Sequence, residues 1–364
     1  MNNYLTITML VFSVLGAIDR ILGNRFGIGK EFEKAFMLIG TMALSMIGMI
    51  VVSPLIADLA RPLSALFSDC LGMDSSIIPA SLFANDMGGA PLSVEMASNE
   101  KIGLYNALVV SSMMGCTVSF TIPFALGVVA KEHHRELLLG LLCGIVTIPV
   151  GCFVGGLVCG LTLLTLIVDL IPLIIFSGII ALGLIYLPEM CLKIFKVFGV
   201  AIAAFITFGL SLGIIRFLTG YEVIKGLKTL EEGASICVNA AVVLSGSFPL
   251  MYVISKVLSK PLEVVGRKTG INTYSAVGII SSLASSATSF GMTDKMDKKG
   301  IVLNSAFAVS GAFILGSHLA FTMAFDSSYI LPVIAGKLIA GVLALVVAVL
   351  VYKRTNTEKE KNNA

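Results

Sequence analysis

Apolar positions in this chain fall in long, nearly continuous runs, with neither the alternation of a half-buried strand nor the single stripe of a surface helix. Nine runs reach the roughly 20 residues that a helix needs to cross a bilayer: 4–22, 35–57, 104–129, 137–160, 163–187, 198–218, 234–255, 300–325 and 330–352. The first has no basic stretch ahead of it and no small-residue cleavage site, so it reads as a spanning helix and not as a removable leader. Two further stretches, 76–98 and 272–292, are apolar but interrupted by polar and small residues. One contains Asn85-Asp86-Met87-Gly88-Gly89-Ala90-Pro91, the other Ser285-Ser286-Ala287-Thr288-Ser289-Phe290-Gly291. Each either crosses as a broken helix or dips into the bilayer and returns.

The basic residues favour return. Lys and Arg collect on the cytoplasmic side of a membrane protein. With both stretches re-entrant and the N-terminus outside, nineteen loop and tail cations fall inside and five outside, whereas full crossings divide them 15 to 9. The predicted architecture is therefore an all-α polytopic membrane protein with about nine transmembrane helices and two re-entrant broken hairpins, forming a single transmembrane domain over 1–364. Helix, hairpin and two helices over 35–160 would recur upside down over 234–352, with linking helices at 163–218 and a cytoplasmic tail at 353–364. At an offset of 198, Lys101, Asn106, Ser112 and Ser119 fall on Lys299, Asn304, Ser310 and Ser317, a weak echo of such an inverted repeat. Repeats of this kind place broken helices near the midplane in secondary transporters.

Composition agrees. The 364 residues are 57% hydrophobic and 13% charged, against roughly a quarter charged in a soluble domain. A net charge of +3, with the basic residues in short clusters, argues against nucleic acid as a partner. The seven cysteines (70, 116, 143, 152, 159, 191 and 237) form no CxxC pair, so no metal or cofactor site is expected of them, and those inside apolar runs act as small hydrophobes. GxxxxGK[ST], GxSxG and HExxH are all missing from the sequence, and the chain does not read as an enzyme. Small-xxx-small spacings from Gly140 to Gly160 predict close helix packing, within one subunit or in a homo-oligomer.

Asp86 is the most informative position, because an ionisable group at membrane depth is expensive unless it is paired or lines a wet cavity. Asn85 beside it offers donor and acceptor, while Gly88, Gly89 and Pro91 end a helix and would leave carbonyls free, a combination suited to a cation that donates hydrogen bonds. The plainer reading is that Asp86 caps a helix at the hairpin tip. Ser285, Ser286, Thr288 and Ser289 could ligate a polar solute or bond back to their own helix. His318, mid-run beside Ser317, could relay protons, accept from an ammonium or bridge two helices. Glu95, Asp169, Asp326 and Lys337 are placed near helix ends or interfaces, where solvation or snorkelling accounts for them.

The residues also carry a family likeness. Asn85-Asp86-Met87-Gly88-Gly89, Ser112-Met113-Met114-Gly115, Gly144-Ile145-Val146-Thr147-Ile148-Pro149-Val150-Gly151-Cys152, Phe290-Gly291-Met292 and Asn304-Ser305-Ala306-Phe307-Ala308-Val309-Ser310 together resemble the ethanolamine utilisation permease family of bacterial multi-pass proteins. The likeness extends from Asp19-Arg20-Ile21-Leu22 to Gly336-Lys337-Leu338. It implies a cell-membrane permease for ethanolamine or a related protonated amine, bound by Asn85, Asp86, Gly88, Gly89, Ser285, Ser286, Thr288, Ser317 and His318. Two departures stand out: the family pattern has two asparagines where this chain has Ser285-Ser286, and an aspartate where it has Ser317. They leave room for another small metabolite as cargo; a membrane sensor subunit and an intramembrane enzyme are the remaining, weaker readings.

Overall fold

The computed structural model describes residues 2–362, without the side chains of residues 2–3, 61, 63–65, 67–71, 192, 258–269 and 355–362. Every regular element among the described residues is helical. The chain begins with α1 (Asn2–Ile21), turns through Gly27 at φ +83° into α2 (Ile28–Met37), and continues into α3 (Ile39–Leu71). Asp19 holds that turn, its carboxylate accepting from Phe26 N at 2.9 Å and Gly29 N at 2.8 Å. α4 (Ile77–Leu82) and α5 (Gly89–Met96) follow as a pair. α6 (Glu100–Tyr105) passes through π-helical turns at Asn106–Gly115 and Thr117–Thr121 into α7 (Ile122–Val128). Then come α8 (His134–Ile145), α9 (Ile148–Val158), α10 (Leu163–Tyr186), α11 (Pro188–Thr219) and α12 (Leu230–Thr269). α13 (Thr273–Ala284), α14 (Ser286–Phe290), α15 (Lys298–Ser310), α16 (Ser317–Phe325) and α17 (Ile330–Asn362) complete the chain.

Among the described residues, eight helices are long and apolar enough to cross a membrane, one fewer than the sequence runs predict. The missing one is 300–325. It is interrupted at residues 311–316, where Gly311 and Gly316 flank Phe313 in a left-handed conformation at φ +61°. Periodicity alone reads straight through such a break, because the residues in it are as apolar as their neighbours. α17 continues as one helix to Asn362, through most of the stretch expected as the cytoplasmic tail.

Both interrupted stretches return to where they started. In the first, Asp74 accepts from Ser98 N at 3.0 Å and Asn99 N at 3.2 Å, and Ser75 Oγ donates to the Met96 carbonyl at 2.5 Å. In the second, Asp297 accepts from Asn272 N at 2.8 Å and Ser275 Oγ at 2.7 Å. An entry point hydrogen-bonded to its own exit makes each a hairpin. The hairpins enclose the α6–α7 helix, whose Asn106–Gly115 segment is buried on every side. A helix apolar on one face only could not occupy that place; this one is apolar or small and polar all round.

Glycines set the close approaches. Gly140 and Gly144 face α15, and Gly151 faces α17, so the predicted small-residue stripe packs inside the subunit. A Cβ on Gly151 would fall 2.5 Å from Ala340 Cβ and 2.6 Å from the Gly336 carbonyl. Gly151→Val is expected to lower the melting temperature of the purified protein, with overpacking typically costing about 1–3 kcal/mol. An unchanged melting curve would show that α9 and α17 can separate freely.

Candidate functional site

The first hairpin turns at Phe83–Gly88. Phe83 is extended (φ −121°, ψ 137°), Asn85–Met87 form a single 3₁₀ turn, and Gly88 adopts φ +94° before α5 begins. That positive φ suits glycine, and a Cβ there would sit 1.9 Å from Met49 Cγ. At Gly89 a Cβ would lie 2.2 Å from both the Phe83 carbonyl and Ser111 Oγ. The π-helical segment supplies the break's backbone partners: Ser111 Oγ donates to the Phe83 carbonyl at 2.5 Å, and Ser119 Oγ accepts from Ala84 N at 3.0 Å. The Ala84 carbonyl accepts from Met87 N and Gly89 N. The Phe83 and Ala84 carbonyls are thus taken, and Gly88 and Gly89 shape the turn. What the tip presents is the Asp86 side chain.

The second hairpin breaks at Ser285, which is extended at φ −161° between α13 and α14. The last carbonyls of α13 lack helical partners, as at any helix end. They are taken by the unwound segment before α16, with Phe313 N donating to Ser282 O at 2.9 Å and Leu315 N to Leu283 O at 2.8 Å. The break in the ninth apolar run and the tip of the second hairpin therefore form one unit. Gly316 belongs to it, since a Cβ there would meet the Ala284 carbonyl at 2.0 Å.

Both tips open into one cavity of about 350 Å³. Asp86 and Met87 come from the first hairpin, Ala284 and Ser285 from the second, and Phe313, Ser317 and His318 from the α15–α16 break. Thr41 and Ser45 of α3, Cys116 and Phe120 of the π-helical turns, and Leu244 and Phe248 of α12 close the wall. A larger groove of about 430 Å³ between α4 and α10 is lined by Met73, Ile77, Ile171, Phe176 and similar side chains, and offers an ammonium nothing.

Of the predicted site residues, Asp86, Ser285, Ser317 and His318 meet at this cavity. Asp86 is not at an open loop tip, for its side chain is 18% exposed. Asn85 is fully buried behind the wall, its amide without a hydrogen-bond partner among the described residues. Ser286 is likewise buried and turned away, and Thr288 is exposed on α14 outside the cavity. The reason is helical: once α14 starts at Ser286, successive side chains fan around its axis and only Ser285 stays at the break.

Lys337 is the residue the sequence reading misplaced. It lies seven residues into α17, roughly 10 Å from that helix's start at 1.5 Å per residue, and is 1% exposed. Its ammonium donates to the Ser112 carbonyl at 2.7 Å and to His318 Nδ1 at 3.1 Å. His318, itself 1% exposed, has its ring centroid 4.9 Å from that of Phe313 at a 37° tilt and puts Nε2 3.9 Å from Asp86 Oδ1. Its depth along α17 was the available signal. Asp169 is also buried instead of interfacial, packed beside Asn106 and the Asp74 backbone. Asp326 does cap a helix end, and Glu95 pairs with Lys228 at 2.8 Å in a part-exposed position. The aromatic lining of Phe120, Phe248 and Phe313 had no sequence signal, since each lies in an apolar run of a chain with 21 phenylalanines.

Among the described residues, eight helices of bilayer length and a cavity with polar groups in its wall define a multi-pass membrane protein. The sequence model for the ethanolamine utilisation protein EutH matches residues 1–351, and the chain belongs to that family. It is 42% identical to a probable ethanolamine permease EutH of Listeria monocytogenes, over 97% of this chain and 95% of that protein. It is 35% identical to a protein of the same description from Escherichia coli, over 100% and 98%. A Bacillus subtilis protein described as uncharacterised, YxeR, is 34% identical over 99% and 97%. No solved structure matches the chain significantly.

Proposed function

We propose that this protein carries ethanolamine, in its protonated form, across the bacterial cell membrane, and that it acts by transport and not by catalysis. One observation carries the reading: the two hairpin tips bring an acidic side chain, Asp86, and a hydroxyl, Ser285, to the same cavity of about 350 Å³. Asp86 anchors the ammonium. The faces of Phe120 and Phe313, 5.7 Å apart and edge-on, add the quadrupole attraction that aromatic rings offer a cation. Ser285 and Ser317 stand where the family pattern has amide and carboxyl groups, so Asp86 supplies the carboxylate of the cavity wall. The names of the Listeria and Escherichia relatives support the substrate.

An inverted repeat that moves the two hairpins against each other is part of the proposal. Its support is that residues 198 apart play the same part. Asn99 and Asp297 each cap the helix after a hairpin. Asn106 and Asn304 each donate to the start of the hairpin before them, to Ser76 Oγ at 2.9 Å and the Ser275 carbonyl at 2.8 Å. Alternating access by rocking such halves is the usual use of this build.

The test is uptake of labelled ethanolamine by cells stripped of other permeases, with competition by a panel of amines. Saturable uptake that small protonated amines inhibit is expected, whereas uptake equal to that of cells lacking the protein overturns the reading.

A further inference from the structure

Behind the cavity wall lies a buried cation that no substrate contact explains. Lys337 of α17 is anchored on the Ser112 carbonyl and spends another N–H on Nδ1 of His318, which lines the cavity. An ammonium has donors and no acceptor. The nitrogen 3.1 Å from it must therefore be the bare, accepting nitrogen of a neutral imidazole, which leaves the ring hydrogen on Nε2. That Nε2–H faces the cavity 3.9 Å from Asp86 Oδ1, too far for the two to satisfy each other. Where the sequence reading allowed His318 to accept from a substrate ammonium, the ammonium it accepts from is Lys337.

We infer that Lys337 is a positioning residue that locks His318 in the Nε2–H tautomer, so that His318 recognises the hydroxyl oxygen of a 2-amino alcohol while Asp86 takes its ammonium. This rests on the proposed transport of a protonated amine. Its added content is selectivity. Among the polar groups of the wall, the Asp86 carboxylate and the His318 Nε2–H lie side by side as acceptor and donor, matching an ammonium and a hydroxyl oxygen two carbons apart. A plain alkylamine leaves the Nε2–H without a partner, and a diammonium sets a donor against it. Phe313, tilted against the ring, and Thr322, whose Oγ1 donates to the His318 carbonyl at 2.7 Å, hold the residue in place.

The experiment compares ethanolamine with ethylamine, which lacks only the hydroxyl. Ligand-induced thermal stabilisation gives apparent affinities for purified wild type, Lys337→Met, and Lys337→Met with His318→Gln. Glutamine places an amide N–H close to the former Nε2 without needing a lysine to orient it. Wild type is expected to prefer ethanolamine by roughly five- to tenfold, the worth of one net hydrogen bond. Lys337→Met should bring that ratio near one by weakening ethanolamine alone, and adding His318→Gln should restore it. Parallel loss of both ligands in Lys337→Met, or an unchanged ratio, overturns the inference. The ¹⁵N spectrum of histidine-labelled protein is an independent arm, tractable because the chain has three histidines. Wild type should show Nε2–H at His318, identified by the signal lost in His318→Gln, and Lys337→Met in the native His318 background should show a tautomer mixture. A wild-type Nδ1–H signal overturns the inference without any reference to transport. If no amine binds at all, the transport reading fails while the spectrum still decides the tautomer.

Discussion

Asp86→Asn should leave the protein folded and remove most of its saturable ethanolamine uptake, raising the half-saturating concentration by about ten- to a hundredfold. The estimate follows from hydrogen bonds to charged groups, each worth about 1.5–3 kcal/mol net, and from a tenfold change in affinity per 1.4 kcal/mol. Two effects act in the same direction. The substrate ammonium loses its carboxylate, and the buried Lys337 ammonium, behind the wall on His318, loses the nearby negative charge that offsets it. A second cation entering then meets repulsion in surroundings that screen it poorly. Folding should survive because the hairpin tip is held by its backbone through Ser111 and Ser119, neither of which touches the Asp86 carboxylate in those bonds. The measurement is initial uptake rate against ethanolamine concentration, with membrane abundance as control. A wild-type curve from the variant would take Asp86 out of the site.

Gly316→Ala should be nearly as damaging while changing no polar group. A Cβ at this position would stand 2.0 Å from the Ala284 carbonyl, a backbone atom that no rotamer change can move. The two segments would have to separate, and with them the bonds from Phe313 N and Leu315 N that complete the end of α13. Ser285 and Ser317, on opposite sides of that junction, would shift relative to Asp86. Uptake is expected to fall at least tenfold, with a lower melting temperature, since such overpacking costs about 1–3 kcal/mol and acts on the cavity itself. Gly40→Ala is the matched control, because nothing lies within 4 Å of a Cβ there. Equal uptake by the two variants would show that the junction tolerates separation and does not set the cavity.

The membrane character and the two hairpins were legible in the chain. Long apolar runs are a local property, and the cation split between sides responds to whether a segment returns. Asp86 stood out for a similar reason: a carboxylate between apolar stretches is conspicuous wherever it points. Lys337 belongs to the same class of signal, but it reads as an interfacial lysine unless its depth along one continuous helix is known. The break at 311–316 gave less warning, since its leucine, isoleucine and phenylalanine suit a helix as well as a turn.

Composition and hydropathy determined that this chain lives in a bilayer, that its elements are helices, and that a few polar residues would have to gather inside, because those demands come from solvation of each segment by itself. Which polar residues gather was decided by the tertiary structure. Ser285 faces the cavity and Ser286 does not, Thr288 lies outside, and Lys337 of α17 meets His318 of α16. Adjacent positions on a helix point in different directions, and only the packing of α16 and α17 around the π-helical segment selects the side chains that share one space.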